Sequence, residues 1–326
     1  MPVSLLRVRS VLLALSLLCV ATLARSQGFQ FIALGDLPYG PASQAPYRAL
    51  IDRVNQMAPV FSLHVGDIKS GSTLCSDEEF AAQWAHFQRY TGAVVYTPGD
   101  NEWTDCHRVN NGAHDPLERL NALRQRFFTE GRSLGQRPIA VENQSRHQPA
   151  HARYVENQRW QHQGVVFATV HVVGSNNNFE TRDPAAVREF FERDAANVAW
   201  LASTFEQARR TDAQAMVVAL QADMFESRSA WEDFPASSGF RRVIGETLLP
   251  LARQWGKPLL VIHGDSHRFR IDQPFSLDNK PLTHVTRLIV PGASDVRAVR
   301  VSVQAGGRFA FELVEPIASS GPLGPR

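Results

Sequence analysis

Four times along this chain an apolar run gives way to Gly-Asp. Phe29 to Leu34 meets Gly35-Asp36, Val60 to Val65 meets Gly66-Asp67, and Ala93 to Tyr96 precedes Gly99-Asp100-Asn101-Glu102. Leu259 to Ile262 leads to Gly264-Asp265-Ser266-His267. Short apolar runs that stop at glycine read as buried strands. In a largely parallel sheet the ends of such strands lie along one edge, where α/β folds bind ligands. A glycine before each carboxylate lets the chain turn sharply there. A single Gly-Asp means little, because Asp is common in turns. Four that converge are another matter, since two carboxylates ~4 Å apart repel by roughly 4 kcal/mol at an effective dielectric near 20. Such a cluster calls for cations.

Between these points strand-like and helical patterns alternate. Helices are expected over Gln44 to Met57 and after Ser76-Asp77-Glu78-Glu79, which fits a capping box. Others open at Asp115-Pro116, with Pro at the first helical position, and at Asp183-Pro184. The last is the longest, with Val187, Phe190, Phe191, Val198, Leu201 and Phe205 as its apolar face. Further strands are expected over 164–173 and 216–220, and a helix near Arg241 to Trp255. Three more strands follow at 285–290, 296–303 and 308–314, without helices between them. The polar stretch 129–163 reads as an excursion from the core, a flap. This βα alternation closing on a β-rich end predicts one α/β domain over 28–316, with two packed sheets flanked by helices.

The ends read differently. Arg7 and Arg9 precede an apolar stretch from Val11 to Leu23 and then Ala24-Arg25-Ser26, the layout of a secretory leader over 1–26. That stretch is shorter than the roughly 18–20 residues of a membrane-spanning helix, so no stable membrane anchor is expected. Residues 317–326 form a loose Gly/Ser/Pro tail. Export would leave Cys75 and Cys106, which in an oxidising compartment invite a disulfide worth roughly 3–4 kcal/mol; two free thiols are the alternative. A formal net charge of +2 gives no signal for nucleic acid.

The series of Gly-Asp motifs resembles the calcineurin-like metallophosphoesterases, the superfamily that includes purple acid phosphatases, whose motifs run Gly-Asp, Gly-Asp, Gly-Asn-His-Asp and Gly-His-x-His. The chain looks like a divergent exported bacterial branch, and the resemblance spans roughly 29 to 315. It implies a four-layer α-β-β-α sandwich of two mixed sheets and two divalent metal ions. It also implies hydrolysis of a phosphomonoester or phosphodiester by a hydroxide held between the metals. His64-Val65-Gly66-Asp67 fits the second motif, which makes Asp67 the metal-bridging residue. Asp36 matches the first motif's aspartate, Asn101 the third motif's asparagine and His267 the last histidine of the fourth.

The departures share a direction. Pro38 stands where the first motif carries histidine, and Tyr39 beside it is an alternative oxygen donor. An extra aspartate precedes Asn101 and no histidine follows it, which leaves Glu102 or His107 to assist the leaving group as acid. Where a middle histidine belongs the chain has Gln221-Ala222-Asp223, and Asp265 replaces the first histidine of the fourth motif. One ion is then expected on Asp36, Asp67 and His267, the other on Asp67, Asn101, Asp265 and Gln221 or Asp223. The second set is entirely oxygen, which suits Mn²⁺, Mg²⁺ or Ca²⁺, whereas imidazole suits Zn²⁺. Fe is also open.

Other residues have plainer readings. His64, His171 and His263 lie in or beside strands and read as packed; Asn176 and its neighbours read as a polar turn. Trp103 and Tyr39 wall a pocket or merely pack, and Arg268 and Arg270 are phosphate contacts or surface charges. The expected protein is a periplasmic or secreted phosphoesterase, monomer or dimer, acting on a small phosphorylated substrate. The alternatives are a catalytically degenerate binding protein on the same fold and a different metal-dependent hydrolysis.

Overall fold

The computed structural model describes residues 28–225 and 234–318; the expected leader and the tail beyond 318 lie outside it. In chain order it contains β1 (Phe29–Leu34), α1 (Gly40–Met57), β2 (Ser62–His64), α2 (Asp77–Arg89), β3 (Val94–Tyr96) and α3 (Pro116–Phe127). Then come β4 (Glu142–Asn143), β5 (Gln158–His162), β6 (Val165–Thr169), α4 (Pro184–Arg210) and β7 (Ala215–Ala219). A π-helical segment, Arg241–Leu248, runs into α5 (Leu249–Trp255). The remainder is β8 (Leu259–His263), β9 (Arg270–Asp272), the short pair β10 (Ser276–Leu277) and β11 (Lys280–Pro281), β12 (Val285–Ile289), β13 (Ala298–Val303) and β14 (Phe309–Val314).

These strands form two mixed sheets, ordered β14-β13-β1-β2-β3 and β4-β5-β6-β7-β8-β12-β9. Their centres are parallel. Leu34 pairs with His64 and His64 with Tyr96; across the second sheet Ala219 pairs with Ile262 and His263 with Ile289. The C-terminal ends of the parallel strands are therefore level, so the residues that follow each strand come out on one rim.

Alternation along the strands builds three apolar layers. Phe31 and Ala33 of β1 face the second sheet with Phe61, Phe167 and Leu260, while Ile32 and Leu34 face α1 to α3 with Leu50, Phe80 and Leu120. On the far side of the second sheet Val166, Met216 and Val218 meet Trp200, Leu201 and Phe205 of α4. Both faces of the central strands are covered, which is why they read as unbroken apolar runs. Phe167 is the hub of the middle layer. It lies 5.2 Å from Trp160 in a stack and meets Phe31 and Phe61 edge-on at 5.4 and 5.0 Å.

The expected helix starts are made by side chains. Ser76 Oγ accepts from Glu79 N–H, although Glu79 turns its own carboxylate to Gln83 instead of closing the capping box. Asp115 accepts from Leu117 N–H and Asp183 from Ala185 N–H. Cys75 and Cys106 are disulfide-bonded, and both sulfurs lie against the carbonyl oxygen of Asn101, at 3.6 and 3.8 Å. The bond pins the loop that carries Asp100 and Asn101.

Two expectations need correction. Residues 129–163 are not an excursion: β4 and β5 form an edge of the second sheet, and Val141 and Trp160 enter the middle layer. Their polar neighbours are buried and paired, as Asn143 is with Gly131 N–H and the Val155 carbonyl. On α4 the apolar face read from sequence is buried at Phe190, Leu201 and Phe205 but not at Phe191, and the buried stripe is wider than that face. Phe191 is exposed, and Arg193, Asp194 and Asn197 are inside; the His171 carbonyl accepts from both Arg193 and Asn197, and Arg242 lies against Asp194.

Candidate metal centre

The rim is built from strained turns. Asp36, Asp67, Asp265 and His267 all adopt left-handed backbone, with φ of 53°, 54°, 72° and 57°. Asp enters that region more readily than most residues because its short polar side chain bonds locally. The sharp turn after β1 and after β8 is thus made by the aspartate itself, not by the glycine before it. What glycine supplies there is space. A Cβ on Gly264 would stand 2.0 Å from Asp36 Oδ2, and one on Gly99 2.0 Å from Asp67 Oδ1.

Asp36 is fully buried; its Oδ1 accepts from Asp265 N–H at 3.0 Å, and its Oδ2 has no hydrogen-bond partner among the described residues. His267 Nε2 is 3.5 Å from Asp36 Oδ1. Asp67 Oδ2 accepts from the Tyr39 hydroxyl and from Asn101 Nδ2–H, both at 2.8 Å. Tyr39 thus belongs to the site, arriving there after a cis Leu37-Pro38 bond, and its oxygen is also 3.2 Å from His267 Nε2.

Two sets of donors result. Ligand atoms of Asp36, Asp67 and His267 lie within 4.8 Å of one another, and so do those of Asp67, Asp100 and Asp265. Asp67 belongs to both. Burial pushes the Asp67 carboxyl well above the usual carboxylate range, and the charges of Asp100, Glu102, Asp36 and Asp265 push it the same way. Burial raises Asp36 too, against the pull of His267. Crowded carboxylates, one of them with an orphan buried oxygen, fit divalent cations.

Asp100 is a further candidate donor, one that residue-type matching left out. Placed without a gap on Gly-Asn-His-Asp, the run Gly99-Asp100-Asn101-Glu102 puts Asp100 on the motif's asparagine and Asn101 on its histidine. Asp100 Oδ1 accepts from Gln221 Nε2–H at 3.0 Å and its Oδ2 from the Ser175 hydroxyl at 2.8 Å. Asn101 stands beside Asp67 with its amide bonded to it.

The other candidates take different places. Glu102 is turned into the protein, where Oε1 accepts from Ile68 N–H, the Tyr96 hydroxyl and Gly99 N–H; fully buried, it ties the loops after β2 and β3 together. Gln221 uses Oε1 to accept from Gly174 N–H at 2.6 Å. The Asp223 carboxylate accepts from Phe225 N–H and Ser266 Oγ–H, while its backbone N–H holds Asp265 Oδ2 at 2.9 Å. His107 is exposed, with Nδ1 2.7 Å from the Thr104 carbonyl. It lines a cleft of about 710 Å³ with Asp105, Arg108, Ser175, Glu180 and Arg182. Ser175, 2.8 Å from Asp100 and 2.9 Å from Asp105, joins this cleft to the donor sets. His64, His171 and His263 are buried in the body of the fold; burial drives His64 down to about 3 and His263 to about 4.

These shifts predict a pH dependence. A carboxyl raised in the folded state contributes stability that is full below its unfolded pKa, near 4, and lost as pH rises through its folded value. Asp105, raised to about 6 first by burial and then by Asp100, and Asp67, raised well above the usual carboxylate range, act in this sense; the buried His64 and His263, lowered to about 3 and 4, act in the opposite one. A cation relieves the carboxylate repulsion and leaves the histidines as they are, so added Mn²⁺ should raise the Tm of metal-stripped protein more at pH 8 than at pH 6. Calorimetric melting at the two pH values, with and without Mn²⁺, checks the sign; a Mn²⁺-induced rise in Tm that is larger at pH 6 contradicts it.

The sequence matches no protein-family model and no curated protein sequence; the likeness is in three dimensions. The fold is that of the calcineurin-like metallophosphoesterases. A dimetal phosphatase from Danio rerio superposes with a TM-score of 0.53 at 11% identity over 88% of this chain and 99% of that one. A purple acid phosphatase from yellow lupin seeds gives 0.52 at 15% identity over 90% of this chain and 52% of its own, so the chain spans about half of that protein. The Plasmodium protein GAP50, described as the anchor in the inner membrane complex, gives 0.51 at 10% identity over 90% of each. At such identities the fold is what is shared. Among the described residues no helix is long and apolar enough to cross a membrane.

Proposed function

We propose that the chain is a metal-dependent phosphoesterase acting on a small phosphorylated substrate, a monoester or diester, outside the cytoplasm. The observation that carries this reading is the sharing of Asp67 between two donor sets on the ligand-binding rim. One cation would be held by Asp36, Asp67 and His267, the other by Asp67, Asp100 and Asp265. When bound, the pair supplies Lewis-acid chemistry, neutralising charge on a phosphoryl group and acidifying a water. The first set includes an imidazole; the second is all carboxylate and favours Mn²⁺, Mg²⁺ or Ca²⁺.

The chain's own residues do the rest. Asn101 and Tyr39 fix Asp67, Gln221 and Ser175 fix Asp100, and the backbone of Asp223 fixes Asp265. His107, at the cleft beside Ser175, is the group placed to meet the leaving group; Glu102 keeps the rim in register from below. The disulfide accords with an oxidising compartment.

A second reading is a binding protein that holds cations without turnover. GAP50, described as an anchor, has the same fold. Metal-stripped protein assayed on p-nitrophenyl phosphate and bis-p-nitrophenyl phosphate with Mn²⁺, Mg²⁺, Ca²⁺, Zn²⁺ or Fe²⁺ separates the two. Turnover restored by Mn²⁺ or Mg²⁺ and absent without metal is expected. Cation binding with no turnover on either ester would favour the binding protein.

A further inference from the structure

The segment after β6 makes an unusual turn at the donor sets. Ser175, Asn176, Asn177 and Asn178 follow one another in left-handed backbone, with φ of 49°, 52°, 56° and 59°. Asn accepts this conformation; Ser does so much less readily. Four such residues in succession persist only where the surroundings over-determine them. Here they close one turn of left-handed helix against the carboxylates.

The turn touches the second donor set on three sides. A Cβ on Gly174 would fall 2.7 Å from Asp265 Oδ1 and 2.8 Å from Asp100 Oδ2, so the backbone itself abuts both ligands. Ser175 Oγ reaches Asp100 Oδ2, and Gly174 N–H holds Gln221, which in turn donates to Asp100 Oδ1. Both oxygens of Asp100 are thus set by two consecutive residues of the turn, one directly and one through Gln221. Of the two donor sets, only the second contains Asp100.

What holds the turn is Arg193, a fully buried arginine on α4. Its Nη1 donates to the His171 carbonyl at 2.8 Å and to Asn177 Oδ1 at 2.6 Å, and Nη2 donates to the Asn177 carbonyl at 2.9 Å. It therefore grips the chain on both sides of Gly174-Ser175. Glu189 balances its charge at 2.6 Å, and its guanidinium stands 5.2 Å from the ring of Trp103, in the loop that carries Asp100. The planar fork makes these bonds together, which an ammonium cannot do.

We infer that Arg193 is a positioning residue for the second cation subsite: through the left-handed turn and Ser175 it sets Asp100, and so the affinity of that subsite apart from the first. The inference rests on the two-cation reading of the centre, not on the reaction assigned to it.

The test is a calorimetric titration of Mn²⁺ into metal-stripped wild type, Ser175→Ala and Arg193→Lys, with Asp36→Asn to show which binding event belongs to the first set. Groups that orient a ligand from behind typically contribute about 10- to 100-fold to metal affinity. Ser175→Ala and Arg193→Lys should each weaken the second event by about that factor and leave the first within about twofold. A role in general packing would instead lower both events and the metal-free Tm together. Equal weakening of both events, or no change in either, overturns the inference, and so does a wild type that binds a single ion. If Arg193→Lys fails to fold, Ser175→Ala decides alone, because it removes one hydroxyl. Two wild-type events without ester hydrolysis would defeat the phosphoesterase reading and leave this inference standing.

Discussion

Asp67→Asn should abolish ester hydrolysis, by at least about a thousandfold, and yet leave the metal-free protein as stable as wild type or more so. Orienting groups behind a metal ligand are worth about 10- to 100-fold; a carboxylate common to both donor sets should exceed that, and a thousandfold corresponds to about 4 kcal/mol. Stability moves the other way because Asp67 is buried against four other carboxylates that raise its pKa. The amide keeps the side chain's shape and, with its oxygen at the Oδ2 position, still accepts from Tyr39 and Asn101. What it forfeits is the weaker 3.3 Å contact with Asn101 N–H. Melting with and without Mn²⁺, alongside turnover, reads both effects: wild type should gain Tm on metal addition and the variant should not. A variant that keeps wild-type turnover would remove Asp67 from the centre.

Phe167→Ala should be the most damaging change away from the rim. The ring is fully buried between the sheets, stacked on Trp160 and edge-on to Phe31 and Phe61. Emptying such a position costs about 3–5 kcal/mol, since the surrounding strands relax only partly. At ~2–4 °C per kcal/mol for domains of this size, Tm should fall by roughly 10 °C. Phe167 is mid-strand in β6 and bears no rim residue, so Mn²⁺ affinity of the folded protein should be unchanged. A drop of under ~3 °C would mean that the middle layer closes over the loss.

The rim was largely legible in advance because its logic is local. Strands that end in Gly-Asp at Asp36, Asp67 and Asp265 announce themselves, and His267 lies two residues beyond the last. Caps at Ser76, Asp115 and Asp183 are equally local. Asp100 lies in the same Gly99-Asp100-Asn101-Glu102 run, where it reads as an extra aspartate, and only the fold brings it beside Asp67 and Asp265. Other parts depend on tertiary partners. Sequence position marks Tyr39 as an alternative oxygen donor, but that its partner is Asp67 depends on the path of the chain after Pro38. Arg193 lies off the apolar face that the sequence marks on its helix, and it is buried because carbonyls at His171 and Asn177 accept from it. The stretch 129–163 looked unstructured because its Asn and Gln side chains serve the backbone, as Asn157 Oδ1 does for His171 N–H.

The position of β1 has a consequence for how the molecule comes together. It lies between β2, about thirty residues away, and β13, near the other end of the chain. Asp36 likewise takes its backbone N–H bond from Asp265, 229 residues on. Contacts of such sequence separation form late and slowly, since long loops must close before they are rewarded. During synthesis β1, β2 and β3 can pair early, but the rim stays open until the last strands arrive. Asp36, Asp67 and Asp100 follow those first three strands and meet early, while Asp265 and His267 join them only at the end, so the repulsion that Asp265 adds opposes completion of folding. Cations present at that moment would speed the closing of the chain as well as stabilise its end state.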